Sequence, residues 1–170
     1  MPITHTVDIL VTDDAQRVLL VERGKEPFAG KLVLPGGHVD VEDYARARRE
    51  PEAALRVPPG FHAGHFLSDE AADPLRAMAE RIAASRELEE EAGVVVSPGE
   101  LTLLLTLDRP GRDPRGHYVS RLYGVGVSSE RLLAARAGSD ARRIVIRDVN
   151  DVREDEMGFD HWDAILLLQD

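Results

Sequence analysis

Glu87, Glu89, Glu90 and Glu91 fall within five consecutive positions, just ahead of Gly93. Gly93 reads as the residue that ends a helix. The helix macrodipole places partial negative charge at that end, where Lys or Arg would be the stabilising choice. These carboxylates therefore oppose the dipole and repel one another. At the helical repeat Glu87, Glu90 and Glu91 share one face and Glu89 points elsewhere. Three hard oxygen donors on one face are a cradle for a divalent cation such as Mg²⁺ or Mn²⁺. The competing reading is a solvated acidic helix end.

Such a cradle needs a helix and something opposite it. Asp73-Pro74 opens the helix, with Asp73 as N-cap and Pro74 in its first turn. Its first half offers Leu75, Met78, Ala79 and Ile82 for burial and its second half Leu88 and Ala92, on faces roughly 100° apart. The helix therefore packs on two sides or bends near Ala84. Upstream, Thr6 to Val11 and Val18 to Val21 read as a hairpin around Asp13-Asp14-Ala15-Gln16. The loop from Glu22 to Gly30 brings Arg23 and Phe28 as candidate substrate contacts. Leu34-Pro35-Gly36-Gly37 follows, its glycines permitting unusual backbone angles or close approach to a ligand.

Arg86-Glu87-Leu88-Glu89-Glu90-Glu91-Ala92-Gly93-Val94 resembles the second half of the Nudix box, and Leu34-Pro35-Gly36-Gly37 resembles its opening. The resemblance implies an α/β/α sandwich with a mixed sheet between helices, and metal-dependent hydrolysis of a nucleoside diphosphate linked to another group. It implies Mg²⁺ or Mn²⁺ on Glu87, Glu90, Glu91 and the carbonyl of Gly37. Arg86 would hold a glutamate in place. The chain departs from the family pattern in one respect. Residues 44–85 separate Asp43 from Arg86, far more than the family spacing, so a segment at about 44–73 is inserted into the box. Asp43, Glu42, Asp69 and Glu70 then compete for the place of the first-half acid. Glu154 and Glu156 are candidates for the general base, beside the helix glutamates.

The insertion is legible only in part. Tyr44 to Leu55 suits one or two helical turns, broken by Pro51, and Pro58-Pro59-Gly60 ends regular structure. His62 and His65 have a Gly between them and no third ligand, which favours a packed loop over a metal site. The segment can serve as a lid over the site or as a contact in a homodimer.

Downstream, strands are expected at Val94–Val96, Leu101–Leu107, His117–Val127 and Arg143–Val149, a short helix between Ser129 and Ala137, and a final helix capped by Asp160. The loop between the second and third of these strands carries Arg109, Arg112 and Arg115. Guanidinium forks match phosphate oxygens, and a solvated turn paired to Asp108 and Asp113 is the alternative. Arg-Asp-Pro-Arg-Gly-His at 112–117, Gly138-Ser139-Asp140-Ala141 and Phe159-Asp160-His161 resemble segments of Nudix proteins that act on ADP-ribose and of their relatives in NAD metabolism. That resemblance implies ADP-ribose or a related nucleotide-derived small molecule as substrate, with Arg109 and Arg112 binding it. Nucleoside triphosphates and coenzyme A derivatives are the alternatives, since Leu32 stands where the family often has Trp. A nucleotide sensor without catalysis is the alternative of another class, against which the intact acidic set speaks.

The whole chain sets bounds. Its 170 residues suit a single Nudix domain over 1–170. With no cysteine there is neither disulfide nor thiolate metal site, which fits a cytoplasmic location. No apolar run is long enough for a membrane span, and no signal peptide precedes the first strand. A net charge of −10 speaks against nucleic acid backbones as partners.

Overall fold

The computed structural model describes residues 2–50, 73–138 and 141–169. Strand β1 (Thr4–Thr12) and β2 (Arg17–Arg23) form the expected hairpin. Asp13 closes its turn, accepting from the backbone of Ala15 and Arg17 and from the Arg17 guanidinium at 2.7 Å. Short strands β3 (Leu32–Val33) and β4 (Gly36–His38) flank Leu34 and Pro35. Helix α1 spans Val41–Arg49 and α2 spans Pro74–Ala92. Then come β5 (Thr102–Leu107), β6 (Tyr118–Gly126), α3 (Ser129–Leu133), β7 (Ala141–Asp148) and α4 (Trp162–Leu166).

The sheet is mixed. Its main order is β3-β2-β1-β6-β5, with β4 added to β1 and β7 to β2. Only the β1–β6 pairing is parallel among these; β4 runs antiparallel to β1 and sets Gly36 opposite Asp8 and Gly37 opposite Val7. Alternation along β1 and β2 sends side chains to two faces. Val7, Ile9, Val11, Leu19 and Val21 pack with Ala83, Ala84, Leu88 and Ala92 of α2. Leu10, Val18 and Leu20 pack on the other face with Ala164 and Ile165 of α4. The expected α/β/α layering follows from these two cores.

Helix α2 packs on both sides rather than choosing between them. Met78, Ala79 and Ile82 meet Ala47 of α1, while the second half meets the sheet. Its caps are as the sequence implies: Asp73 accepts from Arg76 N at 3.0 Å, and Gly93 has φ +65° with its N–H on Glu89 O. Helix α1 starts at Val41, three residues before the expected Tyr44, because Asp43 reaches back to Asp40 N at 2.8 Å.

Three expectations need correction. Val94–Val96 is not a strand. Val94 and Val96 are buried and Val95 exposed, but their carbonyls are met by side chains: Ser85 Oγ donates to Val96 O at 2.6 Å and Arg131 to Val95 O. Asp160 does not cap α4; His161 holds the cap position without a side-chain bond, and the Asp160 carboxylate is taken by Arg112. Gly36 and Gly37 do not need unusual backbone angles, since neither has positive φ. His62, His65, Asp69 and Glu70 lie outside the described residues, as does most of the inserted segment. Among the described residues no helix is long and apolar enough to cross a membrane.

Candidate active site

Helix α2 and loop 34–37 face one another across a cleft of about 240 Å³. Glu87 and Glu91 line it from the helix, Gly36 and Gly37 from the loop, and Arg23 and Arg115 from other segments. The approach of loop to helix is too close for side chains. A Cβ on Gly37 would sit 2.3 Å from the Glu87 carboxyl carbon, and one on Gly36 would sit 2.3 Å from Val7 O and 2.5 Å from Asp8 Oδ1. The glycine pair is therefore required by contact rather than by backbone angle.

Arg86 organises the acidic side. Its Nε and Nη2 donate to Asp43 at 3.1 and 2.9 Å, its Nη1 to Glu87 at 2.8 Å and to Glu90 at 3.4 Å, and Nη2 also to His38 O at 3.0 Å. Hydrogen bonding to Asp43, with that to Glu87, raises the guanidinium pKa above its ordinary value against the effect of burial, so the cation is permanent. Asp43 is the acid held by Arg86. It is buried at 2% exposure, whereas Glu42 is exposed.

Glu87 and Glu91 are the unusual carboxylates. Burial raises Glu87 above the usual range despite the pull of Arg86, with Glu90 and Asp40 adding to it. Burial pushes Glu91 up to about 7, with Glu87 and Asp8 adding to it, against a hydrogen bond from Gly36 N at 3.2 Å and the charge of Arg23. Glu90 does not converge with them. Its side chain is half exposed, turned to Arg86, and absent from the cleft lining. Among the described residues no three His, Cys, Asp or Glu side chains already stand together at metal-ligand spacing. The donor set still fits a hard divalent cation: two partly buried carboxylates face the glycine loop across the cleft, and a cation's charge would offset the burial that raises their pKa values.

The other expected residues divide. Arg23 lines the cleft, donates to Pro27 O at 2.7 Å and lies over the Phe159 ring at 5.1 Å. Phe28 backs that ring at 4.6 Å, behind the lining. Arg109 lies outside the cleft, paired with Asp163 at the surface. Arg112 reaches the cleft wall, but its side chain is only 4% exposed and forks onto Asp160 at 2.8 and 2.7 Å. Of the three loop arginines Arg115 is best placed to meet a ligand. Asp113 fixes it through bonds of 3.0 and 2.7 Å, and it lies 4.7 Å over Tyr118. Glu154 and Glu156 are not in the cleft; Glu156 accepts from Arg147 at 2.6 Å.

Sequence reading did not single out Asp8 or Tyr118, and it named His161 only within the Phe159-Asp160-His161 segment, without a role; all three line the cleft. His161 Nδ1 accepts from Leu34 N at 3.0 Å and its Nε2 faces Asp8 Oδ2 at 3.4 Å. Asp8 also accepts from Ser120 Oγ at 2.5 Å. Burial opposes the Asp8 charge, but His161, Ser120 and Arg112 outweigh it and hold the carboxyl below its usual range. An aspartate inside an apolar strand and a histidine beside an apolar helix were the available signals, since each needs a partner when buried.

The NUDIX domain model matches residues 2–72, which take in loop 34–37 and α1 and stop short of α2. An ADP-ribose pyrophosphatase of Methanocaldococcus jannaschii is 28% identical over 155 residues, covering 91% of this chain and 66% of that protein. The NUDIX domain of Shewanella oneidensis NrtR, solved with ADP ribose, has a TM-score of 0.66 at 24% identity, covering 98% of this chain and 86% of that one. A MutT/nudix family protein of Enterococcus faecalis has a TM-score of 0.66 at 22% identity, covering 98% of this chain and 60% of that one. The chain thus spans about two thirds of the curated relative and less of the Enterococcus protein. A family match that ends before α2 and a glutamate helix that completes the box across the cleft meet in one fold, and that fold is the one these Nudix structures have.

Proposed function

We propose that this protein hydrolyses the pyrophosphate of ADP-ribose, or of a closely related nucleoside diphosphate derivative, with a divalent cation, Mg²⁺ or Mn²⁺, at Glu87 and Glu91. One observation carries the reading: two partly buried carboxylates with raised pKa values face a glycine loop across a cleft whose other wall holds Arg23 and Arg115. Acidic and basic walls together suit a metal-bound pyrophosphate. The pyrophosphatase name of the Methanocaldococcus relative and the ADP ribose in the Shewanella structure support the substrate class.

Water adds to one phosphorus, the bridging phosphorus–oxygen bond breaks, and two monophosphates leave. A cation held by Glu87 and Glu91 would neutralise charge on the phosphates and acidify the attacking water. Gly36 N–H holds one oxygen of Glu91, and Arg86 holds Glu87 against Asp43. Glu90, half exposed and 3.4 Å from Arg86, would be a third carboxylate to hold the cation. Gly37, whose backbone lies against Glu87, supplies the loop carbonyl that the family resemblance implies. Arg115 meets a phosphate, and the rings of Phe159 and Tyr118 give apolar surface for a nucleoside. Arg112 supports this wall from behind.

The test is a screen of ADP-ribose, nucleotide sugars, dinucleotides and nucleoside triphosphates with Mg²⁺ or Mn²⁺, reading phosphomonoester formation. ADP-ribose is expected to give the highest kcat/KM. A triphosphate preferred over it would overturn the substrate class, and binding of ADP-ribose without turnover would favour the sensor reading.

A further inference from the structure

We infer that His161 is a positioning residue for the reaction, acting through Leu34 N–H and Asp8 to set loop 34–37 and with it the Glu91 carboxylate. The inference rests on the proposed function for its kinetic readout alone.

The loop is held at successive backbone points. Leu34 N–H donates to His161 Nδ1 at 3.0 Å, Pro35 O accepts from Ile9 N at 2.9 Å, and Gly36 N–H donates to Glu91 at 3.2 Å. Two of these holds come from the neighbouring strand and from α2. The third comes from the segment just before α4, 127 positions away in sequence. Because Leu34 N–H donates to Nδ1, the ring proton is assigned to Nε2, which faces Asp8. Asp8 lies against Gly36, so near that a Cβ there would meet its Oδ1 at 2.5 Å. One imidazole thus touches the loop directly at Leu34 and indirectly at Gly36, the residue that holds Glu91.

The partners are fixed in turn. His161 is 3% exposed and Asp8 8%. Ser120 Oγ donates to Asp8, and Arg112 clamps Asp160, the residue before His161, while lying 3.8 Å from Asp8. A buried imidazole with a partner at each ring nitrogen is held in position, and it transmits that position to what it holds. His161 and Asp8 line the cleft, but what each holds or lies against is the loop, at Leu34 and Gly36, which is why the role is positioning. Outer partners that orient reacting carboxylates typically matter by 10–100-fold.

The test uses His161→Phe, which keeps the ring volume and loses both nitrogens, and His161→Asn, whose amide oxygen falls near the place of Nδ1. His161→Phe is expected to lower kcat by about 10- to 100-fold with KM changed by less than about threefold. In the same variant the Leu34 and Gly36 amides should exchange faster with solvent in the absence of metal and substrate. His161→Asn should restore most of the Leu34 protection and most of the rate. A His161→Phe protein with normal kcat would overturn the inference, as would a His161→Asn protein no better than His161→Phe in either readout. If His161→Phe fails to fold, His161→Gln takes its place, since its longer amide reaches Asp8 in preference to Leu34; it should be slower than His161→Asn, and equal rates would overturn the inference. Amide exchange also separates the two proposals. A wild-type protein without hydrolytic activity would defeat the proposed function, while unchanged Leu34 and Gly36 exchange in His161→Phe would defeat this one.

Discussion

Arg86 forks onto Asp43 through bonds of 3.1 and 2.9 Å, joining helix α2 to α1 across 43 positions of sequence. The long interval in the box therefore leaves the acid–arginine pair intact, with Asp in place of a longer carboxylate. Asp43→Ala removes one partner of a largely buried pair and should cost about 3 kcal/mol of stability. Glu42→Ala, at an exposed neighbouring site, should stay within about 0.5 kcal/mol. Urea unfolding of both variants checks this, and an equal cost at the two positions would remove Asp43 from its role.

The two glycines of the loop should fail differently. Gly37→Ala drives a Cβ into the Glu87 carboxylate, a side chain that can yield, so the protein should fold and lose about 100-fold in kcat through misplacement. Gly36→Ala meets the backbone oxygen of Val7 and should lower Tm as well. Thermal melts beside steady-state kinetics separate the two; a fully active Gly37→Ala would show that Glu87 has no required place.

Much of this was legible beforehand, and what was not has a common cause. The hairpin, the caps at Asp73 and Gly93, and the shared face of Glu87, Glu90 and Glu91 follow from local periodicity and turn chemistry, but the turn of Glu90 away from the cleft to Arg86 does not. The partners of Arg86, Asp160 and His161 do not, because each is chosen by the tertiary path. Arg112 and Arg115 look equivalent in sequence, three residues apart in one loop. Only the fold shows that Asp160 occupies the first while the second faces the cleft. Val94–Val96 has strand-like alternation, but side chains reach two of its carbonyls where a neighbouring strand would be needed.

The two arginines should therefore divide binding from stability. Arg115→Ala should raise KM for ADP-ribose by about 10-fold with a smaller change in kcat, as loss of a contact made equally in ground and transition states requires. Arg112→Ala should instead destabilise the protein by about 3 kcal/mol, since Asp160 is left without its buried partner. The reverse assignment, a KM effect at Arg112 with normal stability, would return it to the ligand.

Glu91 makes apo stability depend on pH. Burial pushes its carboxyl up to about 7 in the folded protein, above the ordinary 4.5. The proton is thus bound more tightly in the folded state, and its stabilisation is complete below the unfolded pKa and lost as pH rises through about 7. With EDTA, the Tm of Glu91→Gln relative to wild type should climb between pH 5 and pH 8. A difference that stays flat across that window would show the carboxylate to be ordinary. With Mg²⁺ present the wild-type Tm should recover at the alkaline end, because cation and proton compete for the same oxygens.

The most direct measurement is the rate of ADP-ribose hydrolysis at saturating Mg²⁺ by wild type, Glu91→Gln and Glu90→Gln, each shown folded by its thermal melt. The expected result is cation-dependent turnover in wild type, a loss of at least about 100-fold in Glu91→Gln, and a loss also in Glu90→Gln once Glu90 turns from Arg86 to the cation. Near-normal turnover in Glu91→Gln would contradict the assignment, leaving the glutamates as a solvated helix end beside a cleft that works without them.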